Sequence, residues 1–94
     1  YLLVELDSLS QDWSRDRIIK EINKLGVPCY SGSCSEVYLE KAFDGNGFRP
    51  KDRLANARAL GEISVMFLVH PTLTGDEIQQ TCDAITFVMN LATT

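Results

Sequence analysis

Residues 63–69, "ISVMFLV", form the most apolar stretch of the chain and decide its fold. Three of these seven residues are β-branched, and a single serine interrupts the run. A short apolar run without alternation is typical of a strand that is covered on both faces. We therefore predict that residues 63–69 form the central strand of a sheet.

The sequence that follows this strand predicts a long amphipathic helix over residues 75–92. "HPTL" ends the strand at residues 70–73, and Thr74 and Glu77 have the spacing of a capping box. Apolar residues then recur at intervals of four and three, which is the helical period. These residues are Ile78, Cys82, Ile85, Met89 and Ala92.

The apolar stripe of this helix is wider than a single core requires, because Phe87, Val88 and Leu91 broaden it toward the C-terminus. Excess apolar surface indicates a further packing partner. The chain also starts with "YLLVELD" rather than with methionine. We interpret residues 1–94 as one small domain taken from a longer chain, whose remainder is the expected partner.

The N-terminal part predicts a strand followed by a helix. Residues 1–7 alternate in the manner of a half-exposed strand. Its inner face would consist of Leu2, Val4 and Leu6. Ser14 or Asp12 is then placed to cap an amphipathic helix of about three turns, which Gly26 ends. The apolar side chains of this helix are Ile18, Ile22 and Leu25, with Arg15, Asp16, Lys20 and Lys24 outside.

The middle of the chain predicts short elements. Residues 27–30, "VPCY", favour an edge strand or an extended connector because of the proline. Residues 35–43 predict a short helix capped by Ser35, and residues 53–61 predict another that Gly61 closes. The predicted fold is α+β. It consists of a small antiparallel sheet of about three strands, two long helices on one side of it, and short helices in the middle excursion.

Composition narrows the class of protein. The chain has 94 residues, of which 45% are hydrophobic, and a net charge of −4. These values predict one soluble globular domain, with no membrane span and no nucleic-acid partner, because the nine basic residues are scattered among thirteen acidic ones. Three cysteines, an odd number, favour reduced thiols in a cytoplasmic protein.

The cysteines do not form a recognisable metal or redox motif. Cys29 and Cys34 are separated by four residues, which is wider than the spacing typical of zinc or thioredoxin-type sites. Cys82 and His70 are the remaining candidate ligands, and their spacing does not gather them. We therefore predict no metal site, and we interpret Cys29 and Cys34 as small packing residues.

The loop "SGSCS" at residues 31–35 leaves several chemistries open. Its donors favour weak binding of a hydroxyl or an oxyanion, but it lacks the Gly-rich turn and lysine of a nucleotide cradle. Cys34 or a serine would need His70 as a base for nucleophilic catalysis, and a histidine before proline is more often a packing residue. Glu36 and Glu40, one helical turn apart, are interpreted as solvated surface. No catalytic residue is predicted.

Three segments of the chain carry a family resemblance: "LGVPCYSGSCSEVYLEKAF", "RLANARALGE" and "FLVHPTLTGDEI". In their order and spacing they resemble the C-terminal small domain of the DegT/StrS family of nucleotide-sugar aminotransferases. The resemblance covers nearly the whole chain. It implies a C-terminal domain of the fold-type-I aminotransferase kind, whose cofactor-binding large domain lies outside these residues.

The resemblance also implies an activity for the intact parent protein. That activity is transfer of an amino group from an amino-acid donor to a nucleotide-linked keto-sugar, in polysaccharide or cell-surface glycan biosynthesis. The parent would be a cytoplasmic homodimer that holds pyridoxal phosphate on a lysine of its large domain. The 94 residues alone would bind no cofactor and be inactive.

Four residues are substrate-facing candidates by this resemblance, in which the loop after the first helix faces the sugar nucleotide. They are Tyr30, Ser31, Ser33 and Tyr38, whose hydroxyls suit sugar or phosphate oxygens. Two alternatives are a non-catalytic small-molecule-binding module, which would use the same loop, and a protein-interaction module, which would use the wide stripe of the last helix.

Overall fold

The computed structural model describes all 94 residues as three short strands and three α-helices. The strands are β1 (Leu2–Leu3), β2 (Cys29–Tyr30) and β3 (Ser64–Phe67). The helices are α1 (Arg15–Lys24), α2 (Ala55–Ile63) and α3 (Gly75–Ala92). The strands form an antiparallel sheet in the order β1-β3-β2, so the predicted fold class is confirmed.

Strand β3 is central, as its apolar sequence predicts, but it is shorter and more exposed than expected. Ile63 is the last residue of α2, which runs directly into the strand. Val65 is buried, whereas Leu68 and Val69 lie beyond the strand and are exposed. The prediction of a strand covered on both faces is therefore wrong, because only the face carrying Val65 meets the core.

The first strand is also shorter than predicted. Only Leu2 and Leu3 pair with β3, opposite Val65 and Ser64, and Leu6–Ser8 turns into a 3₁₀ helix. The Val4 amide still reaches the Ile63 carbonyl at 2.9 Å. Val4 is buried, but Leu2 and Leu6 remain almost half exposed. The alternation therefore identifies one core residue out of three.

Helix α1 begins where the sequence predicts. The Ser14 side chain accepts a hydrogen bond from the Arg17 amide at 3.1 Å, which caps the helix. Ile18 and Ile22 are fully buried, whereas Leu25 lies past the helix end and is 43% exposed. Gly26 then has a φ of +83°, the left-handed conformation that ends helices.

Arg15 does not lie outside the fold as predicted. Its Nη1 atom donates hydrogen bonds of 2.9 Å to the carbonyls of Gly61 and Ser64. Its side chain is only 16% exposed. The guanidinium therefore connects the start of α1 to the junction of α2 and β3.

Helix α3 occupies the predicted residues. The Thr74 hydroxyl accepts a hydrogen bond from the Glu77 amide at 3.2 Å, which is the first half of the expected capping box. The second half is missing, because the Thr74 amide does not donate to the Glu77 carboxylate. The buried stripe differs from the predicted one. Its buried members are Ala84, Val88 and Ala92, with Ile85 and Met89 partly buried beside them. Cys82 is exposed because it lies at the edge of this stripe, and Ile78 is exposed because it lies in the first turn, before the buried residues begin at Ala84.

The middle excursion contains two 3₁₀ turns, Val37–Leu39 and Lys41–Phe43, instead of a helix capped by Ser35. Ser35 instead packs against Gly61, where an added Cβ would collide with the serine hydroxyl. Gly61 has ordinary helical geometry inside α2, so it does not close that helix. A glycine is needed at position 61 because Ser35 packs closely against it, and not because the backbone adopts a left-handed conformation there.

The core is small and the chain is flattened. Helices α1 and α3 pack on each other and share one core with Val65 of the central strand. Only ten residues are buried, and the radius of gyration is 16.1 Å. A compact chain of this length would have a radius of about 12 Å. Much apolar surface therefore remains uncovered, including Phe87 and Leu91 of α3, which are 57% and 50% exposed.

Candidate functional site

A shallow hollow lies beside the loop that follows β2. It has a volume of about 440 Å³ and is open to solvent. The walls are contributed by α1, by β2 and by the loop: Asp16, Ile19, Cys29, Tyr30, Ser31 and Gly32. Two of the predicted substrate-facing residues, Tyr30 and Ser31, are thus neighbours in one surface depression.

Tyr30 and Ser31 are the exposed hydroxyl residues of this hollow. The Tyr30 side chain is 47% exposed, and Ser31 is also exposed. Neither hydroxyl forms a hydrogen bond within the chain, so both are free to bond a ligand. Asp16 adds a carboxylate, which the sequence pattern placed on the outer face of α1 without a role. Its Oδ1 atom accepts a hydrogen bond from Arg15 Nε at 2.6 Å, and its other oxygen remains an acceptor for a ligand. The composition suits a ligand rich in hydroxyl groups.

Ser33 differs from Ser31, because its polar atoms already have a partner within the chain. Its Oγ atom lies 2.9 Å from the Tyr1 hydroxyl oxygen, and its amide donates to that oxygen at 3.3 Å. These hydrogen bonds lower the pKa of Tyr1, with the side-chain bond as the larger cause. Gly32 has a φ of +100°, and a Cβ there would lie 2.9 Å from the Tyr1 ring. The end of the loop is therefore held against the N-terminal strand.

Tyr38 lies in the interior rather than in the hollow. Its hydroxyl donates to a Glu36 carboxylate oxygen at 2.7 Å and accepts the Leu54 amide at 2.8 Å. The side chain is only 7% exposed. The Tyr38 hydroxyl therefore connects the 3₁₀ turn to the residue before α2. The predicted contact of Tyr38 with a substrate stays a prediction.

The Glu36 carboxylate is the centre of this polar cluster, and its interpretation as solvated surface is wrong. Arg53 donates to both carboxylate oxygens, at 2.8 and 2.5 Å. The Arg53 bonds, followed by the Tyr38 hydroxyl, lower the pKa of Glu36 to about 2. The same contacts raise the pKa of Arg53. A carboxylate this acidic stays ionised at any physiological pH, which indicates a structural ion pair rather than a proton-transfer group.

Arg49 supplies a second polar attachment that the sequence pattern did not predict. Its Nε atom donates to the Tyr38 carbonyl at 2.6 Å, and its Nη2 atom donates to Asp44 at 2.6 Å. Together with the Glu36 cluster, it holds residues 36–54 by hydrogen bonds rather than by apolar packing. The turn-rich sequence of this segment carries no local signal for such contacts.

The cysteines and His70 do not form a site. Cys29 is buried, and burial raises the pKa of its thiol. Cys34 is exposed and its thiol donates to Glu40 at 3.4 Å, so its interpretation as a packing residue is wrong. His70 lies 2.6 Å from the Thr72 hydroxyl and lines a different cleft, at the start of α3. No group of three or more His, Cys, Asp or Glu side chains is close enough to hold a metal ion.

A site for pyridoxal phosphate needs a lysine that faces a cavity. Five cavities of the chain have no lysine among their lining residues. Lys24 pairs instead with Glu21 on the surface of α1 at 3.0 Å. The predicted absence of cofactor binding by these 94 residues stays a prediction. No helix has the length and apolar character needed to cross a lipid bilayer.

Comparison with known proteins gives a structural relative. No protein-family model matches the chain, and no curated protein matches it. A solved structure, the X-ray structure of the aminotransferase from Psychrobacter cryohalolentis, is 63% identical with a TM-score of 0.91. The match covers 98% of this chain and 23% of that one, so this chain spans less than a quarter of the length of its relative. The likeness therefore extends over the whole fold described above.

Proposed function

We propose that this chain is the C-terminal small domain of a pyridoxal-phosphate-dependent aminotransferase that acts on a nucleotide-linked keto-sugar. The observation that carries the proposal is the 63% identity over 98% of the chain to part of an aminotransferase. At that identity the likeness extends to the amino-acid sequence as well as to the backbone arrangement. The DegT/StrS family, suggested by the order of the sequence motifs, is the family we propose.

The hollow supports a sugar nucleotide as the ligand of this domain. The free hydroxyls of Tyr30 and Ser31, with the Asp16 carboxylate beside them, offer donors and acceptors to hydroxyl groups of a sugar. The hollow is too open to bury a ligand alone, since well-formed ligand sites enclose most of the ligand surface. We propose that the large domain of the parent supplies the opposite wall, together with the lysine that holds the cofactor.

The uncovered apolar surface supports a domain that packs on a larger partner. Phe87 and Leu91 extend the stripe of α3 beyond the core, and Val69, two residues past the end of β3, is 86% exposed. Exposed apolar surface of this extent marks an interaction site. In our proposal the parent is a cytoplasmic homodimer in polysaccharide or cell-surface glycan biosynthesis, with an amino acid as the amine donor.

The test uses the full-length protein that contains this sequence, a panel of nucleoside-diphosphate keto-hexoses and glutamate as the donor. Amino-sugar formation by mass spectrometry is the expected result. Ser31→Ala should raise the KM for the sugar nucleotide. Ser8→Ala is the matched control, because Ser8 is exposed and its hydroxyl donates to the Glu5 carbonyl outside the hollow. No amination of any sugar nucleotide, in a protein that carries the cofactor, would contradict the proposal.

A protein-interaction module is the second candidate, and the same exposed stripe of α3 favours it. The two candidates differ in what the complete gene encodes. A large domain with a cofactor-binding lysine in the same polypeptide supports the aminotransferase. A polypeptide without such a domain supports the interaction module.

A further inference from the structure

Asn23, near the end of α1, forms two hydrogen bonds to Cys29 of β2 although its side chain is exposed. Its Oδ1 atom accepts the Cys29 amide at 3.2 Å, and its Nδ2 atom donates to the Cys29 carbonyl at 2.7 Å. The same Nδ2 donates to the Ile19 carbonyl at 2.9 Å. A side-chain amide has the donor and acceptor of a peptide group, so Asn23 pairs with Cys29 as a neighbouring strand would.

This pairing gives β2 a partner on its outer edge. Across the sheet, Cys29 lies opposite Phe67 and Tyr30 lies opposite Met66 of β3. A two-residue edge strand held only by that ladder would be prone to opening, because little buried area supports it. Asn23 fixes the backbone of Cys29 from the other side, and the thiol side chain, 2% exposed, is seated in the core.

The residues that follow Cys29 are the free hydroxyl residues of the hollow. The far end of this loop is held by Tyr1, whose hydroxyl bonds the backbone and side chain of Ser33. Tyr30 and Ser31 therefore lie between two anchored points. Because Tyr30 directly follows Cys29, a rotation of the Cys29 peptide groups would redirect the Tyr30 side chain.

We propose that Asn23 is a positioning residue for the ligand-facing loop, holding the backbone at Cys29 so that the hydroxyls of Tyr30 and Ser31 face the sugar nucleotide. The proposal rests on the proposed function for the identity of the ligand. Asn23 does not line the hollow, so it acts through the backbone of Cys29 and not by contact with the ligand.

Asn46 provides a matched control for the loss of such hydrogen bonds. Its Nδ2 atom donates to the Ala42 carbonyl at 3.0 Å, and its Oδ1 atom accepts the Phe48 amide at 3.0 Å. It therefore satisfies backbone groups in the same way as Asn23, but in the turn between the 3₁₀ segment and α2. A general effect of losing a bridging asparagine should appear equally in both variants.

The experiment compares Asn23→Ala and Asn46→Ala in the full-length protein. Misplacement of ligand-contacting groups by about an ångström costs up to about 100-fold in catalytic efficiency. We expect Asn23→Ala to raise the KM for the sugar nucleotide about 10- to 100-fold while kcat changes far less. Asn46→Ala should leave both constants near the wild-type values. If Asn23→Ala fails to fold, Asn23→Asp takes its place in the experiment. The aspartate keeps the acceptor for the Cys29 amide but loses the donor to the Cys29 carbonyl, so it should also raise the KM for the sugar nucleotide.

Alkylation of Cys29 gives a readout that needs no substrate. The thiol is buried, so iodoacetamide should label Cys29 slowly in the wild type and in Asn46→Ala, and about tenfold or more faster in Asn23→Ala. Cys29 and Cys34 share the tryptic peptide of residues 25–41, so fragment ions of that peptide assign the label to one or the other, whereas Cys82 lies in a different peptide.

The outcomes separate the two proposals. A wild-type KM in Asn23→Ala overturns the positioning role even if Cys29 becomes reactive, and equal KM increases in Asn23→Ala and Asn46→Ala overturn it as well. A wild-type protein that turns over no sugar nucleotide overturns the proposed function, and the positioning role falls with it. Faster Cys29 labelling together with a selective rise in KM supports the proposal.

Discussion

Two neighbouring residues of α3, Val88 and Phe87, should respond very differently to replacement by alanine. Val88 is 1% exposed and belongs to the core, whereas Phe87 is 57% exposed. Val88→Ala removes two buried methyl groups, worth about 1.6 kcal/mol, and leaves a cavity that adds about 1 kcal/mol. Alanine returns about 0.5 kcal/mol through its higher helix propensity, so the net loss is about 2 kcal/mol.

Phe87→Ala should lower the free energy of unfolding much less. Less than half of the ring is covered, so its burial contributes about 1 kcal/mol, and helix propensity again offsets about 0.5 kcal/mol. For a domain of this size, Tm falls by about 4–8 °C per kcal/mol. We expect Val88→Ala to lower Tm by about 8–16 °C and Phe87→Ala by about 2–4 °C.

The assay is thermal unfolding of the 94-residue chain followed by circular dichroism, with urea unfolding to check that the m-value is unchanged. Equal shifts for the two variants, or a larger shift for Phe87→Ala, would refute an orientation of α3 in which Val88 faces the core and Phe87 faces outward. In the full-length protein Phe87→Ala should be far more damaging, up to about 3–5 kcal/mol, if the large domain covers that ring.

Three further predictions concern the excursion, the ion pair and the cofactor. Gly61→Ala should displace the Ser35 end of the loop, seen as amide shifts by NMR, whereas Gly75→Ala should not, because nothing lies within 4 Å of Gly75; an unperturbed Ser35 amide in Gly61→Ala would contradict the close packing. Folding lowers the pKa of Glu36 to about 2, so its contribution is present above its unfolded pKa and is lost as pH falls toward 2. Hydrogen exchange should therefore show residues 36–54 opening before the core on acidification, and simultaneous opening of both would count against the ion pair with Arg53. Titration with pyridoxal phosphate should give no saturable imine absorption band on these 94 residues, and a lysine adduct detected by mass spectrometry would disprove this.

The elements that the sequence predicts correctly are those with local determinants. Helix α3 depends on the Thr74 cap and on a helical period over eighteen residues, and both are contained in the segment itself. The ends of the strands depend on partners far away in the chain. β1 stops at Leu3 because β3 begins only at Ser64, and no pattern within residues 1–7 contains that limit.

The burial of side chains is predicted less well than the elements that carry them. A periodic apolar pattern defines a stripe but not its centre, so Cys82 is expected in the core and lies outside it. Ala84, which the pattern passes over as a small residue, is 6% exposed instead. Small residues permit the close approach of α1 and α3, and that requirement appears only when the two helices are brought together.

The sequence also does not show which hydroxyl groups of the candidate site already have hydrogen-bond partners within the chain. Tyr30, Ser31, Ser33 and Tyr38 have the same functional group, and the sequence offers no basis for ranking them. The tertiary structure distinguishes them, because the hydroxyl of Ser33 forms a hydrogen bond with that of Tyr1, and the hydroxyl of Tyr38 donates to Glu36. A hydroxyl that already satisfies groups of its own chain would leave them unpaired on turning to a ligand. The free hydroxyls of Tyr30 and Ser31 carry no such cost, which makes them the stronger candidates for contact with the proposed ligand.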